Sequence, residues 1–218
     1  MSRLSPKAQT TEEYVAELRA ALARNPDCGT THYNLGVALI KLGKWDEAVQ
    51  ELQEAIEHSP SLAEAYVDLG GIFFQRGDLE GCIQMNRAAI KIRPRFSVPY
   101  GNLGFAYLQQ GEVEAAVESL EKAVSLNPQF VQAWATLASA YYMQGRLDDS
   151  ITASEKVLSL APTFAVAHNN LALALFEKGE YQAAAYHVDQ ALAHGFSVDP
   201  RFLEMIAPYR TGGEGKGQ

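Results

Sequence analysis

Pro26, Pro60, Pro94, Pro128 and Pro162 stand 34 residues apart, and two further ladders keep the same step. One is Gly43, Gly77, Gly111, Gly145 and Gly179; the other is Leu35, Leu69, Leu103, Leu137 and Leu171. Three ladders in register mean that one supersecondary unit is stacked on copies of itself, and a period of this length is that of a helical hairpin. Glycine takes φ > 0 and stops the first helix of each unit. Proline cannot continue the second helix and pushes its predecessor out of the helical region. The expected fold is an all-α solenoid of antiparallel helix pairs.

The repeats are expected at 29–62, 63–96, 97–130, 131–164 and 165–198. The first helix of each unit, helix A, carries apolar residues at helical spacing; in the first repeat these are Leu35, Val37, Ala38, Leu39 and Leu42. Gly36, Gly70 and Gly104 follow the ladder leucines, with Ala138 and Ala172 in the last two repeats. Glycine inside a helix costs about 1 kcal/mol relative to alanine, so three of them imply close approach of a neighbouring helix. The small residues of the second helix, helix B, among them Ala48, Ala55, Ala89, Ala116, Ala123, Ala184 and Ala191, serve the same approach. Cys82 stands where other repeats have alanine and reads as core.

Before the first repeat, Thr10 and Glu13 form a capping-box pattern that opens a helix through Tyr14, Val15, Leu18 and Leu22. Residues 10–28 read as a half-repeat capping the N-terminal end. After the fifth, Phe196 stands where the proline would fall, and Asp199-Pro200 reads as an N-cap with a first-turn proline. Residues 199–210 are therefore expected to form a C-terminal capping helix. The polar ends, 1–9 and 211–218, are expected to be disordered.

Net charge is −8, with 18 Lys and Arg against 26 Asp and Glu. Such a surface repels phosphate backbones and anionic lipid heads, which disfavours nucleic acid and membrane surfaces as partners. Lys91, Arg93 and Arg95 around Pro94 read as solvated turn charges. Cys28 and Cys82 lack metal-ligand spacing and imply no disulfide framework. The opening residues lack an apolar run, and no later stretch is apolar for the length of a span, so no membrane insertion and a cytoplasmic location are expected. There is no Gly-rich phosphate loop, no H-E-x-x-H and no nucleophile elbow. No catalytic residue, cofactor or metal site is expected, and the chain reads as a non-enzyme. His32 and His168 occupy the first aromatic place of their repeats; His187 and His194, seven apart, share a face without carboxylates or cysteines beside them.

The residues Tyr66-Leu69-Gly70-Phe73-Cys82-Ala89-Pro94 and Tyr100-Leu103-Gly104-Tyr107-Ala116-Ala123-Pro128 resemble the tetratricopeptide-repeat family pattern. Departures are His32 and His168 in the aromatic place, Asn86 in place of a bulky residue, and Ser150 and Ser154 in the fourth repeat. The resemblance implies a right-handed superhelical α-solenoid whose A helices line a concave wall. It implies a protein-interaction module (adaptor, scaffold or assembly factor) that holds an extended peptide of a partner protein. A basic clamp for a C-terminal carboxylate is not expected, because Tyr33, Glu64, Asp68, Val98 and Asn102 stand where it would be.

The residues before the ladder leucines are Asn34, Asp68, Asn102, Thr136 and Asn170. They are similar to the asparagine ladder in the repeat domain of the O-linked N-acetylglucosamine transferase, whose catalytic region is absent here. An asparagine offers a donor and an acceptor to one peptide unit whatever the peptide's sequence. A net hydrogen bond contributes about 0.5–1.5 kcal/mol and a micromolar complex needs about 8, so apolar anchors must supply the rest. The expected groove is Tyr33, Asn34, Val37, Val67, Asp68, Phe74, Asn102, Phe105, Leu108, Tyr142, Asn170 and Phe176. Gly71, Gly101 and Ala135 leave room along it, and Glu64, Asp68 and Glu177 favour an apolar or mildly basic peptide. The alternative is a self-assembling protein, a homo-oligomer formed through a terminal face or by docking residues 196–210 into another copy's groove.

Overall fold

The computed structural model describes residues 10–210. The ends expected to be disordered lie outside the described residues. Within them the chain is all α, with twelve helices, a closing 3-10 turn and no strand. α1 (Thr11–Leu22) is followed by five helix pairs: α2 (Gly29–Lys41) with α3 (Trp45–His58), α4 (Ala63–Gln75) with α5 (Leu79–Ile92), α6 (Ser97–Gln110) with α7 (Val113–Leu126), α8 (Val131–Met143) with α9 (Leu147–Leu160), and α10 (Ala165–Glu177) with α11 (Tyr181–Ala193). α12 (Pro200–Ile206) and the turn Ala207–Tyr209 follow. The helices fall into two compact units divided between Asn102 and Leu103.

Local chemistry sets the helix ends. Thr10 Oγ1 accepts from the Glu13 amide at 3.2 Å while the Thr10 amide donates to Glu13 Oε2 at 2.9 Å, a complete capping box. Each A helix closes the same way: the ladder glycine lies at φ between +71° and +80°, and the next amide reaches back five residues. Lys44 N–H to Leu39 O, Asp78 to Phe73, Glu112 to Tyr107, Arg146 to Tyr141 and Glu180 to Leu175 are all 2.9 Å. This is the Schellman closure, which the absence of a Cβ makes cheap.

Packing within each hairpin follows from residue size. Ala48, Cys82, Ala116, Ser150 and Ala184 share one repeat position and are fully buried; Ala55, Ala89, Ala123, Val157 and Ala191 share another and are fully buried too. Sixteen residues beyond each small residue after the ladder leucine lies its helix-B counterpart. The pairs are Gly36 with Leu52, Gly70 with Asn86, Gly104 with Leu120, Ala138 with Ser154 and Ala172 with Val188. Glycine accompanies Leu or Asn, and alanine accompanies the smaller Ser or β-branched Val. A Cβ on Gly36 would come within 2.9 Å of Leu52 Cγ, and one on Gly70 within 2.7 Å of Asn86 Nδ2. The helix-interior glycines are thus fitted to the side chains that they face.

The polar departures divide. Asn86 is buried and donates to Cys82 O at 2.8 Å; Ser150 is buried and donates to Ala138 O at 2.8 Å. Ser154 Oγ is buried with no hydrogen-bond partner.

The aromatic place has a polar task as well as a packing one. Tyr100 Oη donates to Pro94 O at 3.2 Å and Trp134 Nε1 to Pro128 O at 3.0 Å. His32 Nε2 meets Pro26 O at 2.7 Å and His168 Nε2 meets Pro162 O at 3.0 Å. The carbonyl left open where helix B ends at its proline is satisfied by whichever ring carries an N–H or O–H to it.

At the C-terminal end, Asp199 Oδ1 accepts from the Arg201 amide at 2.7 Å and opens α12 with Pro200 in its first turn. Phe202 and Ile206 are buried against Leu171, Leu175 and Val188. Tyr209 stacks on Tyr181 at 4.5 Å, and Arg210 Nε donates to Asp189 at 2.7 Å. The segment after the fifth repeat is therefore packed onto its own unit.

Candidate binding cleft

In the first unit, α1 and α2 enclose a cleft of ≈ 370 Å³. Tyr33, Asn34, Val37 and Lys41 lie on one face of α2, at spacings of one, four and eight residues, and line it together with Thr10 and Tyr14. An aromatic ring, a carboxamide, a β-branched side chain and an ammonium group thus meet at one place. Three of the twelve residues expected from the sequence, Tyr33, Asn34 and Val37, are brought together here.

Tyr33 links this cleft to α4. Burial, and then the Asp68 carboxylate that accepts its hydrogen bond, push the Tyr33 hydroxyl up to about 12. Burial also raises the Asp68 carboxyl; the bond from Tyr33 opposes that rise and the charge of Glu64 adds to it. Glu64, one turn before Asp68, pairs through Oε1 with Arg93 at 2.7 Å, while its Oε2 is buried without a partner. The α4 wall therefore carries a carboxylate oxygen with unused accepting capacity, beside another that gives up charge readily.

The other expected residues are placed differently. Val67 is buried with Ala63, Ala89 and Phe96, and Phe74 is half-buried on α4. Asn102 donates to Asn86 Oδ1 at 3.0 Å. In the second unit Phe105, Leu108 and Tyr142 are half-buried; burial, with the Glu177 charge, raises the Tyr142 hydroxyl. Asn170 is buried and donates to Ala135 O at 3.1 Å and Ser139 Oγ at 2.8 Å, so it joins α10 to α8. Phe176 packs edge-on against Tyr181 at 5.1 Å and Phe202 at 5.4 Å, under the terminal segment. Ala135, expected to leave room, is buried against Val157 and Ala167, and Thr136 donates to Gln132 O at 2.9 Å. Of the three asparagines, two donate within the fold and one lines the cleft.

Two histidine clusters lie outside the expected groove. In the first repeat His32 places Nδ1 at 2.7 Å from Glu51 Oε2 and stacks on His58 at 5.7 Å. Burial disfavours its charged form, but the bonds to Glu51 and to the Pro26 carbonyl outweigh that, and its pKa is raised. In the fifth repeat His168 Nδ1 lies 3.0 Å from His187 Nδ1, and His168 stacks on His194 at 5.8 Å. Burial and the neighbouring His168 push His187 down to about 4. The sequence held a signal for both: 19 residues separate His32 from Glu51 and His168 from His187, and 26 separate His32 from His58 and His168 from His194.

Comparison with solved structures bears on the fold. MamA is 24% identical, with 84% of this chain and 96% of that one covered at a TM-score of 0.67. YrrB, described as a TPR protein with an unusual peptide-binding site, is 19% identical over 89% of this chain and 98% of that one, TM-score 0.72. The Cut9–Hcn1 hetero-tetramer of APC/C gives 18% identity and a TM-score of 0.75, over 92% of this chain and 39% of that one. No curated protein matches the sequence. No helix among the described residues is long and apolar enough to cross a membrane. The family model that matches residues 7–195 is described as the cilia and flagella-associated protein 70 C-terminal domain. With five helical hairpins at a 34-residue period and the Leu, Gly and Pro ladders in register, the chain is a tetratricopeptide-repeat protein and belongs to that family.

Proposed function

We propose that the chain is a non-enzymatic adaptor, scaffold or assembly factor that holds an extended segment of a partner protein along the A helices of its first unit, beginning at the α1–α2 cleft. Tetratricopeptide-repeat proteins are generally protein-interaction modules, and YrrB is described with a peptide-binding site. The observation that carries the reading is the meeting of Tyr33, Asn34 and Val37 in one cleft. Asn34 supplies a donor and acceptor for a peptide unit, and Val37 and Tyr33 supply apolar contact, worth about 1.5–3 kcal/mol for each side chain that a peptide covers. The Asp68 carboxylate beyond Tyr33 favours a peptide that brings an N–H or a cation. The half-repeat 10–28 supplies one cleft wall as well as the N-terminal cap, and 199–210 serves as the C-terminal cap.

The test is selection from a library of unstructured peptides displayed against the full chain, followed by titration of selected peptides with Val37→Glu and Asn34→Ala. Selected peptides are expected to bind at micromolar level and to lose about tenfold or more with Val37→Glu, which is about 1.4 kcal/mol. Peptides that bind both variants as well as the parent would place the site elsewhere.

A second reading, self-assembly through the C-terminal face, is favoured by Tyr186 and Met205, which are 59% and 51% exposed. Residues 196–210 are engaged on their own unit, which favours a face-to-face contact over exchange of that segment. Light scattering at tens of micromolar tests it: a monomer ends this reading and leaves the first standing.

A further inference from the structure

We infer that the first repeat holds a binding site for a divalent transition-metal ion, of the zinc, cobalt or copper class, formed by His32, Glu54 and His58. One ligand atom from each lies within 4.8 Å of those of the other two, the one group of three such residues among those described. Glu54 and His58 are four residues apart on α3 and share a face, with His58 Nε2 3.5 Å from Glu54 Oε2. Glu51 lies on that face one turn earlier, and its Oε2 is 2.7 Å from His32 Nδ1. Asp27, in the turn before α2, places Oδ1 at 3.9 Å from His58 Nε2. The ion would thus bridge both helices of the hairpin and lie beside the turn that joins them to α1.

The donor set selects the class of ion. Two imidazoles with carboxylates suit zinc, copper or cobalt, whereas calcium and magnesium take oxygen ligands alone. Around a tetrahedral ion with bonds of about 2.0–2.1 Å the ligand atoms stand about 3.3 Å apart. Closing the group to that spacing needs shifts of about 1 Å, which the exposed Glu54 and His58 can make by rotating. His32 is already held. Its two nitrogens face Glu51 and the Pro26 carbonyl, so whichever turns to the ion, the other keeps an acceptor. Such outer partners orient metal-bound imidazoles.

The fifth repeat is the internal control. His168 and His194 stand at the places of His32 and His58, but His187 replaces Glu51 and Gln190 replaces Glu54. The packing role of a histidine in the aromatic place is common to both repeats; the carboxylates are particular to the first.

The experiment is calorimetric titration of the untagged full chain with Zn2+, with Co2+ and its visible absorption as the spectroscopic probe. One ion is expected per chain at micromolar affinity. His58→Ala and Glu54→Gln are each expected to weaken binding about tenfold or more, and Glu54→Gln, at an exposed position, is expected to leave the metal-free melting curve unchanged. His187→Ala and His194→Ala are expected to leave affinity unchanged. No uptake at micromolar Zn2+, uptake indifferent to His58→Ala and Glu54→Gln, or loss of uptake with His194→Ala would each overturn the assignment.

Discussion

Gly104 sits in the interior of α6 facing Leu120 of α7, and a β-carbon placed on it would stand 2.6 Å from Leu120 Cδ2 and closer still to Cγ. Two effects oppose each other in Gly104→Ala. Helix propensity favours alanine by about 1 kcal/mol. Carbon atoms pack at about 3.5–4.0 Å, however, so the new methyl requires a displacement of about 1 Å or more. Leu120 is fully buried and has no solvent to move into. Overpacking of this kind costs about 1–3 kcal/mol, and the displacement here belongs at the upper end. The expected net loss is about 2 kcal/mol, measured by urea unfolding followed by far-UV circular dichroism. A β-carbon on Gly71, also inside a helix, would meet nothing within 4 Å. Gly71→Ala is accordingly expected to gain up to about 1 kcal/mol. Adding Leu120→Val to Gly104→Ala recreates the Ala172–Val188 pairing of the fifth repeat and should recover part of the loss. If Gly104→Ala stabilises the protein as Gly71→Ala does, Gly104 is not fitted to Leu120.

Ser154→Ala removes a buried hydroxyl that has no partner and is expected to raise stability by about 1 kcal/mol in the same assay; a loss would mean that the hydroxyl is bonded. Asn170→Ala breaks two internal bonds and is expected to cost about 1–3 kcal/mol, whereas Asn34→Ala should change stability by less than about 0.5 kcal/mol; equal costs would contradict the different placement of these residues. His187, neutral in the fold with its pKa at about 4, binds a proton less readily than in the unfolded chain. Its contribution is complete above the unfolded value of about 6.5 and is lost as pH falls from there toward 4. After allowance for screening, wild-type stability should fall by about 1–2 kcal/mol between pH 7 and 5 in excess of any fall in His187→Gln. Identical pH slopes in the two proteins would refute this.

Much of the fold was legible in the residues because it rests on local chemistry. Thr10 and Glu13 meet within one turn, the ladder glycines need φ > 0 where they stand, and Asp199-Pro200 starts a helix by itself. Gly36, Gly70 and Gly104 implied a close neighbouring helix, and the structure showed that neighbour to be the residue sixteen positions on. The cleft was readable in part: Tyr33, Asn34 and Val37 share a face by helical geometry alone, but α1 had to be placed before that face became a cleft wall. Asn102 and Asn170 show what periodicity leaves open. Both stand at the same repeat place as Asn34, yet their partners, Asn86, Ala135 and Ser139, lie 16, 35 and 31 residues away.

By itself the sequence determined the hairpin, its period, its caps and its buried small residues, since each follows from backbone stereochemistry or from an apolar stripe that recurs every turn. Tertiary structure alone decided which polar side chains are used inside the fold. It turned Asn170 inward, buried Phe176 beneath Phe202, orphaned Ser154 and set His32 among Glu51, Glu54 and His58. A hydrogen bond or a ligand group depends on sub-ångström separation between helices distant in the chain. That separation is fixed by how their side chains pack, and no periodicity in one helix contains it.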